Sequence, residues 1–91
     1  MTVNAYSIYD KAAGTFATPF FAVNDQVAKR NFRFSLNKLS DLFIADLELH
    51  LVGAFDVEDG SFDNDFGYTV DTGENVLSER EIEKKNSEVK Q

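Results

Sequence analysis

Cysteine is absent from this chain, which excludes a disulfide framework, a thiolate zinc site and a cysteine nucleophile together. Tryptophan is missing too, and proline, methionine and histidine occur once each. A small core must then draw on the phenylalanines, and Phe20 and Phe21 are expected inside it. No apolar run approaches the roughly 20 residues of a spanning helix. The start, Met-Thr-Val-Asn-Ala-Tyr-Ser, lacks a charged segment followed by an apolar one. The expectation is a soluble cytoplasmic protein without membrane contact. A phosphate-binding glycine loop, a nucleophile elbow and a zinc-ligand pair are all missing, so neither an enzyme nor a bound metal or cofactor is expected. His50 alternates with Glu48 opposite the leucines of its segment. Without a nucleophile or pocket to serve, it reads as a surface histidine.

What the chain does have is a division of charge. Its first 40 residues carry five basic and two acidic side chains, a net +3, while the remaining 51 carry four basic and fourteen acidic ones, a net −10. The overall −7 and pI near 4.5 therefore conceal a basic patch. Ninety-one residues make one domain with a thin stability margin, which oligomerisation would widen.

Ala5 to Tyr9 has strand character, and Asp10 to Gly14 supplies a turn. Thr15 to Phe21 is the return strand of a hairpin, with Pro19 confined to its edge or end. Tyr6 and Tyr9 face opposite sides of the first strand. Asn24 and Asp25 offer an N-cap, with Val23 as a staple. From Ala28 the apolar residues recur as Ala28, Phe32, Leu36, Leu39 and Phe43, a helical stripe. Leu47, Leu49 and Leu51 alternate with polar neighbours in a half-buried strand, where Gly53 marks a bulge or a close backbone approach. Asp59-Gly60 is a turn signal, and Ser61 to Val70 pairs back as the last strand.

These elements give an α+β fold: a single domain over residues 1–73, with one helix packed on an antiparallel sheet of three to four strands. A small OB-like barrel is the alternative. Residues 74–91 form an acidic tail, partly disordered or helical. Ser78 to Glu81 reads as a capping box, and only Ile82 and Val89 could anchor a helix there. The carboxylates Asp56, Glu58, Asp59, Asp63 and Asp65 read as a solvated turn or acidic docking surface. An EF-hand would place Phe55, which has no side-chain oxygen, at its first ligand position.

The candidate binding residues lie on the helix. Lys29, Arg30 and Arg33 fan out along one flank, and Phe34 falls on the far side from Phe32, between Arg30 and Lys38. An aromatic ring among cations suits base stacking, worth roughly 1–3 kcal/mol per base. The competing placements for Phe34 are under a loop, in an oligomer interface, or beyond an earlier helix end. Tyr9 is a second candidate for stacking.

Tyr6-Ser-Ile8-Tyr9-Asp10, Pro19-Phe20-Phe21, Asn24-Asp25, Ala28, Arg30 and Phe32, followed by Leu49, Gly53-Ala-Phe55-Asp56 and Gly60, resemble the small nonstructural protein of gokushovirus-type microviruses, tailless bacteriophages with circular single-stranded DNA genomes. The resemblance runs from Tyr6 to Gly60. It implies a DNA-binding accessory to viral genome synthesis or packaging in the host cytoplasm, and no catalytic residue. Two functions stand as expectations. In the first, Lys29, Arg30, Arg33 and Lys38 hold the phosphates of single-stranded DNA while Tyr9 or Phe34 stacks on bases. In the second, the acidic half docks on a viral replication initiator or capsid protein without touching DNA.

Overall fold

The computed structural model describes residues 1–89. The elements run β1 (Thr2–Asp10), β2 (Thr15–Phe16), β3 (Phe20–Ala22), α1 (Asp25–Leu36), α2 (Asp41–Ile44), β4 (Leu47–Asp56), β5 (Phe62–Asp63), β6 (Tyr68–Thr72) and α3 (Gly73–Val89). The two strands with the clearest alternation, β1 and β4, pair antiparallel along their whole length at the centre. On the outer side of β1 lie β2 and β3, two pieces of one edge interrupted around Pro19, which has no N–H to give a ladder. On the outer side of β4 lie β5 and β6, likewise two pieces of one edge. The fold is α+β, with a curled antiparallel sheet backed by helices. Among the described residues no pairing joins the two edges, so the sheet is open rather than a closed barrel.

Two bulges produce the curl. Ala5 pairs with Gly53 but Tyr6 with Leu51, so Val52 is an extra residue in β4; Leu49 pairs with Asp71 but His50 with Thr69, so Val70 is extra in β6. Gly53 sits where bulge and close approach coincide. A Cβ there would stand 2.6 Å from the Asp63 carbonyl oxygen and 2.7 Å from the Phe62 ring.

Tyr6, Leu49 and Leu51 from the sheet meet Ala28, Phe32 and Leu36 of α1, Ile44 of α2 and Val76 of α3 in one buried cluster. Several expectations are corrected by this packing. The apolar stripe stops at Leu36, where α1 ends; Leu39 and Phe43 are exposed. Ser40, in extended conformation, caps a new short helix whose rotation is reset, so α2 buries Ile44 in place of Phe43. Phe20 is half-buried and stacks on Tyr6, but Phe21, paired with Ala5, points to the opposite face and is 52% exposed. Val23 is exposed and staples nothing, whereas Asn24 caps α1 by accepting from the Val27 N–H at 2.9 Å.

The acidic tail is helical from its first residue. Thr72 Oγ1 accepts from the Asn75 N–H at 3.1 Å, and Val76 and Leu77 pack onto the core. Ile82, the anchor expected from sequence, is exposed. The side chain of Val89 lies outside the described ones, as do residues 90–91. The chain can enter α3 only because residue 73 is glycine: a Cβ there would overlap the Ile44 carbonyl. Gly73→Ala is therefore expected to lower stability by about 1–3 kcal/mol or more, read as a fall in the urea midpoint at constant slope.

Candidate nucleic-acid interface

A helix offers its outward face to a ligand only if its rotation is fixed, and two sets of polar contacts fix α1. At its first turn, Asp25 accepts from the Tyr6 hydroxyl and the Tyr68 hydroxyl, each at 2.6 Å, and the Tyr6 oxygen accepts from Asn4 Nδ2 at 3.1 Å. Burial and the donated bond to Asp25 push the Tyr6 pKa up to about 12. The bond to Asp25, then partial desolvation, raises that of Tyr68. Eight residues on, Arg33 Nε donates to Asp71 Oδ2 at 3.0 Å and its Nη1 to Glu79. The Asp71 side chain is only 2% exposed, so this guanidinium compensates a buried charge. Glu79 and then Asp71 hold Arg33 further into its charged form.

Arg33 thus joins α1 to β6 and α3, and the four cations predicted to bind phosphate divide into two kinds. Among the described residues Lys29, Arg30 and Lys38 enter no ion pair. Gln26, Lys29, Arg30, Arg33 and Glu79 line an open depression of about 360 Å³ on this flank. Phe34 lies within α1 and is 77% exposed, which removes packing under a loop and an earlier helix end from the alternatives. Arg30 and Phe34, four residues apart, share the solvent face opposite Phe32, and Lys38 follows just past the helix end.

Tyr9 is not part of this group. It lies on the helix-free face of the sheet, where its ring centroid is 4.7 Å from that of Phe16 and 5.7 Å from that of His50, whose Nε2 lies 3.0 Å from Glu48 Oε1. The carboxylates of the β4–β5 turn are engaged locally: Asp56, Asp59 and Asp63 each accept from the N–H two residues ahead. Those backbone donors lower the pKa of Asp56 and Asp59. Among the described residues no three histidine, aspartate or glutamate side chains are grouped to hold a metal ion. No helix is long and apolar enough to cross a membrane among those residues.

Sequence reasoning missed Asp71 and Glu79. In the alternation of β6 Asp71 sits beside Val70, and only the bulge at Val70 turns it toward α1. Glu79 lies in the tail expected to be partly disordered or helical, and the spacing of an isolated segment carries no signal for the surface it will meet.

Two outcomes test this division of labour. Arg33→Ala strands Asp71 and should cost about 2–4 kcal/mol in urea unfolding, while Arg30→Ala should stay within about 0.5 kcal/mol of the parent. The second concerns Tyr6. A folded-state pKa above the ordinary 10.0 adds stability that is complete below pH 10 and is lost as pH rises through about 12. Asp25→Asn should move the late tyrosine ionisation, followed by ultraviolet absorbance, down toward the ordinary value.

No curated protein and no solved structure matches the chain. A family model described as Phage ORF5 protein matches residues 3–75, from the second residue of β1 into the first turn of α3. With four-fifths of its length matched, the chain belongs to the phage ORF5 protein family, a family of bacteriophage proteins.

Proposed function

We propose that this is the small nonstructural protein of a gokushovirus-type microvirus. In this reading it is a non-enzymatic binder of single-stranded DNA, acting during genome synthesis or packaging in the host cytoplasm. The observation that carries the reading is the solvent face of α1. It holds the largely exposed ring of Phe34 on the same face as Arg30, with Lys38 beyond the helix end and Lys29 in the adjoining depression, the three cations without ion-pair partners among the described residues. Single strands are held by this combination because cations follow the phosphates and a flat ring accepts any base. A duplex hides its bases from such a ring. Arg33, paired with both Asp71 and Glu79, adds no net positive charge to this face.

The role of the tail in this reading is that of a counter-charge. Glu79 stands at the rim of the depression, where a phosphate would be repelled. Truncation after Gly73 would also strip Val76 from the core. Glu79→Gln is the cleaner probe, and it should tighten DNA binding.

Fluorescence anisotropy of a labelled oligo-dT tests the reading. Arg30→Ala should weaken binding and reduce the slope of log affinity against log salt by about 0.7. Phe34→Ala should cost about 1–3 kcal/mol with the slope unchanged. Binding that neither variant alters would remove α1 as the interface.

A further inference from the structure

The helix-free face of the sheet carries aromatic rings that no helix covers among the described residues. Cross-strand register places Tyr9, Phe16 and His50 at one end, with Phe21, Phe55 and Phe62 at the other. Ring centroids lie 5.5 Å apart for Phe16 and His50 and 5.8 Å apart for Phe21 and Phe55. Between the two groups lie the small residues Ala5, Ser7 and Gly53, all buried, with Ser7 Oγ donating to the Ala17 carbonyl at 2.6 Å. Phe16, Phe21 and Phe62 are 53%, 52% and 47% exposed, in a protein whose core is short of large side chains. Half-exposed rings gathered on one face of a sheet mark a contact surface.

Charge decides what the contact is. Between Lys38 and Arg80 the sequence contains no lysine or arginine, and this stretch supplies β4, β5 and β6. Glu48 lies on the face itself beside His50, and Asp56 and Glu58 follow at the far end of β4. The positive groups at the margins are occupied: the N-terminal ammonium is 3.8 Å from Glu58 and Lys11 is 3.2 Å from Glu74. A nucleic-acid strand would meet aromatic rings with no unpaired cation among the described residues to hold its phosphates. A second copy presenting the same face would meet like charge. We infer that this face docks an extended, arginine-bearing segment of a partner protein, with guanidinium groups over the phenylalanine rings and against Glu48. Arginine over an aromatic ring is attracted to its negative face, and a bordering carboxylate adds to the pull. The protein would then hold DNA on its helices and a basic polypeptide on its sheet.

The test titrates the full chain with a synthetic peptide of alternating arginine and alanine, and separately with oligo-dT. The peptide should bind, with amide shifts mapping to β1, β2, β4 and β5. The double variant Phe16→Ser with Phe21→Ser should weaken it roughly tenfold or more, and Glu48→Gln should weaken it as well. Both phenylalanines are half exposed and outside the core, and an unchanged urea midpoint confirms the fold. Oligo-dT affinity should be untouched by these changes, while Arg30→Ala should leave peptide binding unaltered. The inference is overturned by failure of the peptide to bind, by equal binding to the phenylalanine variant, by loss of oligo-dT binding in that variant, or by sedimentation showing the face closed in a dimer. The peptide result stands or falls independently of whether α1 binds DNA.

Discussion

The ion pair between Arg33 and the buried Asp71 is the interaction on which the arrangement of the helical layer depends. It gives a carboxylate on the sheet its only described cation, ties the middle of α1 to β6, and through Glu79 brings α3 against the same helix. With Asp25 held by two tyrosine hydroxyls one end of α1 is fixed as well, so the helix cannot roll. Phe32 must then point inward, and Arg30 and Phe34 outward. The exposure of Phe34 is a consequence of contacts made on the other side of the helix.

The same logic separates two uses of positive charge on one helix. A guanidinium that neutralises a buried carboxylate contributes to folding, and its removal leaves an uncompensated charge. Cations without partners are stabilised by water alone and are available to a polyanion. In a small domain of net charge −7 the placement of the unpaired cations sets where a polyanion would be attracted, and the overall pI gives no indication of it. The sheet presents the opposite chemistry, with rings and carboxylates on the face that the helices leave bare. The molecule is therefore two-sided, and the two sides differ in chemistry.

Much of the fold is legible in the chain because it is written in local rules. Asn24 caps, Pro19 interrupts an edge, Gly53 permits a bulge against Phe62, and the alternation of Leu47, Leu49 and Leu51 marks a strand. The failures occur where a periodicity was carried across a break. Phe43 and Leu39 continue the spacing of Ala28, Phe32 and Leu36, but the chain leaves the helix after Leu36 and re-enters it in another phase. Composition alone places Phe21 in the core, but a strand sends alternate residues to opposite faces, and Phe21 lies opposite Phe20. The tail, expected to be partly disordered or helical, is helical over its described residues, because Val76 and the glycine at 73 suffice to seat it. Of the candidate site, the cationic flank of α1 and the outward Phe34 follow from 100° spacing. The capture of Arg33 does not, because its partners lie 38 and 46 residues away.

On the proposed reading the solvent face of α1 is the DNA surface and the sheet is not. Amide chemical shifts of the isotope-labelled protein, followed while oligo-dT is added, test it most directly. The account requires the largest changes from Gln26 to Lys38, with β1, β2 and β5 silent. Changes concentrated on Tyr9, Phe16, Phe55 and Phe62, or none anywhere on α1, would contradict it.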